Sequence, residues 1–408
     1  MLMKLAWRNL WRQKRRTLLT AAALALALAL SLFMRSIQEG SYANNIDNAA
    51  RFATGLVQIQ HPGFQQSQSI DDLVPMADAF IAPVQTLPEV SHLLPRLESF
   101  ALAAGDQRSK GALVMAGIPS LENGYAKLEE RLVAGDFLDD DDAQVLLGEG
   151  LAQFLELNVG DEVVLYGQGY RGQTAAGLYR IKGLLRFPVP QLDSQLVYLP
   201  LPLAQGLFST GDQISAWVMH THQLSQLPAL ESKLHALYPD HAVLDWQALA
   251  PEMAQQILMD RAGGLFMMYL LYGVVGFGLF ATLLMMTLER QREFAVMLAT
   301  GLLRGRLLLL VMIESLFIAA LGLMMGLAIA VPVLLYLAAH PIQLTGQTAH
   351  MMQELGWDPI LPALVAPWLF INQIGIVLML LLLCLLYPLW RILRLELVSA
   401  LKGGAHGG

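Results

Sequence analysis

Residues 17–34 read TLLTAAALALALALSLFM, with no charged side chain. A bilayer core of about 30 Å takes roughly 20 apolar residues in a helix, so this stretch reads as a membrane span. Working outward, the same pattern recurs at Gly263–Leu288, from Leu307 to about Ala339, and at Pro367–Leu389. The third run is longer than one crossing needs and carries Pro332, which points to tilt, a kink, or an end that leaves the lipid. Composition agrees: 55% of the 408 residues are hydrophobic and 14% charged, far from the balance of a soluble globule. A basic leader followed by an apolar run could also be a secretory signal. However, Phe33, Met34, Arg35 and Ser36 follow it with no small-residue pair, so a retained signal anchor is expected.

Charge orients the spans. Residues 1–16 hold six lysines and arginines (Lys4, Arg8, Arg12, Lys14, Arg15, Arg16) and no acid, the segment 289–306 holds four, and the tail after 390 holds three. The positive-inside rule puts these three segments, and both termini, in the cytoplasm. Residues 340–366 hold no lysine or arginine and should be a loop outside. Residues 35–262 hold 13 basic and 27 acidic side chains (13 − 27 = −14), against 13 and three in the cytoplasmic segments (13 − 3 = +10). With Glu314, Glu354 and Asp358 these make up the net −7, so a mild overall charge hides a polarised molecule.

The expected architecture is a membrane α-helical protein with four transmembrane helices and a large α/β plus β external domain inserted between the first and second. Its parts are an interfacial helix (1–16), spans at 17–38, 263–288, 307–339 and 367–390, the external domain (39–262), a cytoplasmic segment (289–306), an outer loop (340–366) and a cytoplasmic tail (391–408). Within the domain, Ser36–Phe52 and Trp246–Ala262 read as helical stalks that run into spans. Gly55–Gln60, Ser91–Leu102, Ala112–Ile118, Ser215–Thr221 and Ala242–Leu244 read as strands. Ala77–Leu87 reads as a helix, as does Leu227–Tyr238, with Leu227, Leu230, Leu234 and Leu237 on one face. Between these halves, about 119–205, lie further strands at Gln144–Leu147, Glu162–Tyr166, Tyr179–Leu185 and Gln195–Leu199, a mostly β insert.

Several stretches imitate chemistry. Asp139–Asp142 is a solvated turn or a cation site, with the turn favoured. His220 and His222 share one face of a strand; a solvated pair is favoured over a metal site because no third ligand is apparent. Gly167–Gly172 lacks the lysine of a phosphate loop and reads as a hairpin turn. No Gly-x-Ser-x-Gly elbow or His-Glu-x-x-His helix is present, so no catalytic residue and no metal ligand is assigned. The lone Cys384 excludes an intramolecular disulfide.

The membrane-side features carry more. Leu5, Trp7, Leu10 and Trp11 among Lys4, Arg8, Arg12 and Arg15 suit a helix lying at the bilayer surface, which is compatible with a plain positive-inside anchor. Glu289-Arg290-Gln291-Arg292-Glu293 leads into Phe294, Val296, Met297 and Leu298 and stops at Gly301. This is either a short helix made for docking into a partner or an ordinary charged loop. Glu314, two turns into the third span, should pair with Arg304 or Arg306, or else carry protons. Gly322 and Gly326 form a Gly-x-x-x-Gly step for close helix packing.

Taken together, these residues resemble the permease subunits of the MacB and lipoprotein-releasing (LolC/LolE) group of ABC transporters, which share the FtsX-like permease region. The resemblance rests on Leu5-Ala6-Trp7-Arg8-Asn9-Leu10 with Arg15, Arg16 and Thr17; on Glu289–Glu293 with Ala299-Thr300-Gly301; and on Glu314 followed by Gly322 and Gly326. Gly148-Glu149-Gly150-Leu151-Ala152, Val159-Gly160-Asp161 and Val197-Tyr198-Leu199-Pro200-Leu201 resemble the group's periplasmic domain. The family implies an inner-membrane permease dimer, homomeric or heteromeric, bound to cytoplasmic ABC ATPase subunits. Glu289, Arg290, Gln291, Arg292, Glu293, Met297 and Gly301 would form the coupling segment. ATP and Mg2+ would bind the ATPase, since no Gly-x-x-x-x-Gly-Lys-Ser/Thr loop occurs here. This chain is expected to bind no cofactor, to have no nucleic-acid partner and to be no enzyme. Its other partners would be the lipid bilayer and a periplasmic lipoprotein or carrier. Three functions fit: ATP-driven release or export of a lipoprotein or amphipathic substrate; FtsX-like mechanical control of a periplasmic enzyme without cargo; and an ATPase-independent membrane receptor.

Overall fold

Long charge-free runs of Ala, Leu, Met and Ile give helices with apolar surface all round, which suits burial in lipid. In a computed structural model, which describes residues 2–12, 14–187, 189–354 and 359–394, four such helices cover Lys14–Ala49, Pro251–Glu289, Arg304–Ala339 and Pro367–Leu393. Each is long and apolar enough to cross a membrane. The first has 36 residues and so measures about 54 Å at the usual helical rise, more than a bilayer core accommodates. The chain divides into two compact units, Met1–Tyr42 with Leu258–Ile342 and Leu361–Gly408, and Ala43–Ile257 with Gln343–Ile360. The expected cytoplasmic tail from 395 onward and Asp358 lie outside the described residues.

In the first unit, Leu24, Leu28, Leu32, Ile318, Leu334, Val377 and Leu381 form the core between the helices. The far faces are apolar too: Leu19, Val274, Phe277 and Ile371 are 72, 72, 75 and 68% exposed, the surface a bilayer would cover. Gly322 and Gly326 set the helix spacing. A Cβ at Gly322 would lie 2.8 Å from Leu24 Cβ, and one at Gly326 would lie 2.9 Å from the Ala25 carbonyl oxygen. The helix Arg304–Ala339 runs unbroken through Pro332. At the other end Arg35 and Arg261 both bind Glu39 (2.8 and 2.9 Å), and the Tyr42 hydroxyl donates to Asp260. In this unit's part of the expected outer loop, the Leu364 N–H donates to the Ser36 carbonyl (2.9 Å) while the Ser36 hydroxyl donates back to the Leu364 carbonyl (2.6 Å); the loop's helix Gln347–Glu354 belongs to the second unit.

In the second unit, alternation of apolar and polar residues produces strands, and the 15-residue strand Val90–Ala104 organises them. Up to Arg96 it pairs with Ala216–Thr221, which pairs with Val57–Gln60 and then Ala242–Asp245. From Leu97 it pairs with Ser109–Gly117, and from Ala101 also with Glu162–Gln168. The ladder then runs from Ser109–Gly117 through Leu196–Pro200 and Gln144–Gly148 to Thr174–Leu185, which returns to Glu162–Gln168. Six strands thus close on themselves. The α/β part and the mostly β insert share one sheet, because a single strand is long enough to serve both. Closure removes exposed edges. A ring this narrow has a small interior, filled by Ala101, Ala103, Ala112, Ala175, Val163 and Leu165, whereas Val164 and Tyr166 point out.

The hairpin at Gly167–Gly172 forms as expected, Gln168 pairing with Thr174. Leu227, Leu230 and Leu234 are buried, but Leu237, placed on the same face by spacing, is 44% exposed because the helix ends there. Asp139–Asp142 forms the expected turn, with Asp139 and Asp141 exposed and the other two carboxylates paired. Lys182 binds Asp142 (2.6 Å), and Asp140 accepts from both the Ser120 N–H and its hydroxyl (2.8 and 2.7 Å).

Candidate functional site

The segment 289–306 folds around one short helix, Gln291–Ala299. Arg290 stands at its N-cap position without a side-chain capping bond, and Gly301 follows its end in the left-handed region (φ +96), where a side chain would be strained. Phe294 and Ala295 are buried, packed with Ala6 of the N-terminal helix Leu2–Arg12, Leu307 and Leu310 of the third long helix and Ile392 of the fourth. Met297 packs at the edge of this cluster. Val296 is 51% exposed, in one stripe with exposed Arg292 and Ala299. Positions 292, 296 and 299 fall on one side of a helix, so the outward face is a cation beside an apolar ridge.

The inward face is ionic. Glu314, 3% exposed within the third long helix, accepts from Arg290 Nη1 at 2.5 Å and from Asn9 Nδ2 at 2.8 Å. Its expected partners Arg304 and Arg306 are replaced by Arg290, because Arg304 turns to the Leu393 carbonyl at the end of the fourth helix. Arg290 Nε also donates to Glu293 (3.1 Å), and Arg12 reaches the other Glu293 oxygen at 3.2 Å. Arg16 binds Glu289 at 2.6 Å and the Thr282 carbonyl at 2.9 Å. Burial would weaken the hold of Arg290 on its proton, but Glu314 and Glu293 outweigh burial and raise its pKa above the ordinary guanidinium range. A cavity of about 50 Å³ beside the pair is lined by Asn9, Thr17, Arg290 and Glu314 among others. One side chain therefore ties together the N-terminal helix, the short helix and the third long helix.

Of the residues singled out from sequence, Arg290 is the inward anchor, half-buried Glu293 lies against it, and exposed Glu289 pairs with Arg16. Arg292 is exposed, Gln291 is half-buried at the helix start, and Gly301 is the stop. Asn9, Arg12 and Ala6 were missed as partners. Asn9 and Arg12 share a face by their three-residue spacing, but nothing local reveals which carboxylates they meet.

The external unit holds a second buried polar cluster. Arg96 and Glu122, 1 and 2% exposed, form a two-pronged pair (2.6 and 2.8 Å), and Arg96 also donates to the Ala53 carbonyl in the π-helical turn Ala50–Thr54. His220 is not the solvated residue expected. It is wholly buried, its ring tilted by 31° against Tyr125 at 3.7 Å between ring centres, with neither ring nitrogen hydrogen-bonded; His222, past the strand end, is exposed. Burial, helped by Arg96, His92 and Arg51, pushes the His220 pKa well below the usual imidazole range.

Four helices able to span a membrane, a strand-rich unit between the first two and an anchored short helix before the third define a multi-pass membrane protein with an external domain. Two family models match: the MacB-like periplasmic core domain over residues 17–237 and the FtsX-like permease C-terminal region over 265–397. The chain belongs to the MacB/LolC–LolE family of ABC transporter permeases. It is 23% identical over 338 residues to the lipoprotein-releasing system transmembrane protein LolC of Xylella fastidiosa, covering 79% of this chain and 80% of that one. It is 25% identical over 357 residues to the macrolide export ATP-binding/permease protein MacB of Hyphomonas neptunium, covering 82% of this chain and 53% of that one. The crystal structure of the periplasmic region of MacB from Actinobacillus actinomycetemcomitans aligns with 51% of this chain and 96% of its own, at 16% identity and a TM-score of 0.34.

Proposed function

We propose that this chain is the inner-membrane permease subunit through which ATP hydrolysis in a separate cytoplasmic ABC ATPase moves a periplasmic domain to release a lipoprotein or other amphipathic substrate. The observation that carries the reading is the short helix Gln291–Ala299, pinned inward by Arg290–Glu314 and Phe294 while Arg292, Val296 and Ala299 face out. Such a helix transmits a push without yielding, because its inner contacts are ionic and packed and its outer stripe suits a partner's groove. The first and second long helices are then the levers, since each extends well beyond the length of a single crossing. The four spans carry few polar residues to line an aqueous pore, which favours mechanical transmission over passage through the membrane. The lipoprotein-releasing function named for the LolC relatives supports the substrate class. A second permease, of like or unlike sequence, completes the assembly, and a periplasmic carrier would accept the cargo.

The test is co-purification with the ATPase. The double change R292E/V296D should abolish association and ATP-dependent release while leaving the thermal midpoint of the isolated chain unchanged, since both side chains are exposed. Retained association would overturn the coupling role. If association and ATP hydrolysis persist but no cargo crosslinks to the external domain and a periplasmic hydrolase is switched instead, the FtsX-like regulator is the right reading. If no ATPase ever associates, the chain is a receptor.

A further inference from the structure

Between the N-terminal helix Leu2–Arg12, the start of the first long helix and the third long helix lies a crevice of about 90 Å³. Its walls are apolar: Trp7, Trp11, Leu18, Phe317, Ala320 and Met324. The Trp7 ring stands edge-on to both Trp11 (5.8 Å) and Phe317 (5.7 Å), so the aromatic wall is rigid. Thr17, the one hydroxyl on the lining, is spent on the Leu10 carbonyl (3.1 Å). The interior therefore offers an occupant only hydrocarbon contact. At the mouth stands Lys14, its ammonium 6.0 Å from the Trp11 ring. Among the described residues Lys14 has no carboxylate within ion-pair distance, and no carboxylate lines the crevice.

We infer that this crevice binds one anionic glycerophospholipid, with an acyl chain along Phe317, Ala320 and Met324 and its phosphate on Lys14. Charge selects the occupant. Residues 1–16 carry six cations and no acid, and of these Arg12 and Arg16 are used on Glu293 and Glu289, so the rim keeps a positive excess. A second copy of this chain laid over the crevice would bring the same cations face to face, and a zwitterionic lipid would leave them uncompensated. Tryptophans and a lysine at headgroup level beside an apolar slot are the chemistry of a lipid with a negative head. The inference is independent of the transport reading, because it needs only that the helices lie in a bilayer.

The full-length chain in phosphatidylcholine vesicles is titrated with chain-brominated phosphatidylglycerol or chain-brominated phosphatidylcholine. Quenching of Trp7 and Trp11 is obtained by subtracting the signal of W7F/W11F. The expected result is stronger quenching by phosphatidylglycerol at equal mole fraction. K14Q should weaken that preference about fivefold, the usual share of one cation near a membrane surface. A320F should reduce quenching by both lipids by filling the slot. K14Q alters an exposed residue, so it tests the site even if A320F does not fold. Equal quenching by the two lipids, or an unchanged preference in K14Q, overturns the proposal. So does loss of the preference in excess inorganic phosphate, which would make the ligand a free anion. Disulfide-linked dimers of M324C in native membranes would show a second copy there and overturn it too.

Discussion

Glu314 and Arg290 show how far a single pair reaches. Both are nearly buried, at 4 and 11% side-chain exposure, and removing one charge leaves the other without its main partner. Breaking such a pair costs about 3 kcal/mol, whereas replacing both members with apolar residues costs less. E314Q should therefore lower the thermal midpoint of the detergent-solubilised chain clearly, and R290M/E314M should lower it less than the sum of the single changes. His220 makes a second prediction at this scale. The folded state keeps it neutral, while the unfolded chain takes up its proton below about pH 6.5. Its contribution to stability is thus full above that pH and lost as pH falls below it, by up to about 1.4 kcal/mol per unit. Glu98, whose pKa burial raises, acts in the opposite direction, because its folded form holds a proton that the unfolded form has released. The difference between wild type and H220F in denaturation midpoints from pH 7.5 to pH 5 isolates the histidine, and equal slopes would refute the assignment.

At the scale of elements, the third long helix lies against the first because Gly322 and Gly326 present bare backbone to Ala21, Leu24 and Ala25. G326L places a side chain where backbone already stands, and overpacking of this kind costs about 1–3 kcal/mol. The expected outcome is a lower thermal midpoint, with the helical circular dichroism largely kept because each helix satisfies its own hydrogen bonds in lipid. The short helix Gln291–Ala299 was legible as a helix with a stop at Gly301. Its facing was not. The run Phe294, Val296, Met297 and Leu298 did not say which of its side chains face inward; Phe294 and Ala295 do, because Ala6, Leu307 and Ile392, from three distant stretches, make the pocket that receives them.

For the whole molecule, the clasp of Arg35, Glu39 and Arg261 with Tyr42 and Asp260 joins the first and second long helices at the end opposite the short helix. If these helices are the levers, E39Q, which leaves two arginines without their shared carboxylate, should uncouple the machine. ATP hydrolysis by the assembled complex should persist while substrate release falls severalfold, measured together in one reconstituted preparation. Equal losses of both would assign Glu39 to stability alone.

The sequence by itself made legible the four long apolar helices, the polarity of charge and nine of the ten strands of the main sheet. Each of these follows from properties local to a segment: length of an apolar run, alternation, or a count of lysines. Most strand positions were legible, though the strand read as Tyr179–Leu185 begins at Thr174, yet the closed six-strand ring was not, because closure depends on Val90–Ala104 pairing with Glu162–Gln168, some 60 residues further on. The same holds for Glu314, whose partners lie 24 and 305 positions away at Arg290 and Asn9. It also holds for His220, which looked solvated until Tyr125 covered it. Only the tertiary structure decided these, since the energy of a buried charge or ring depends on what packs against it in space, and chain order does not specify that.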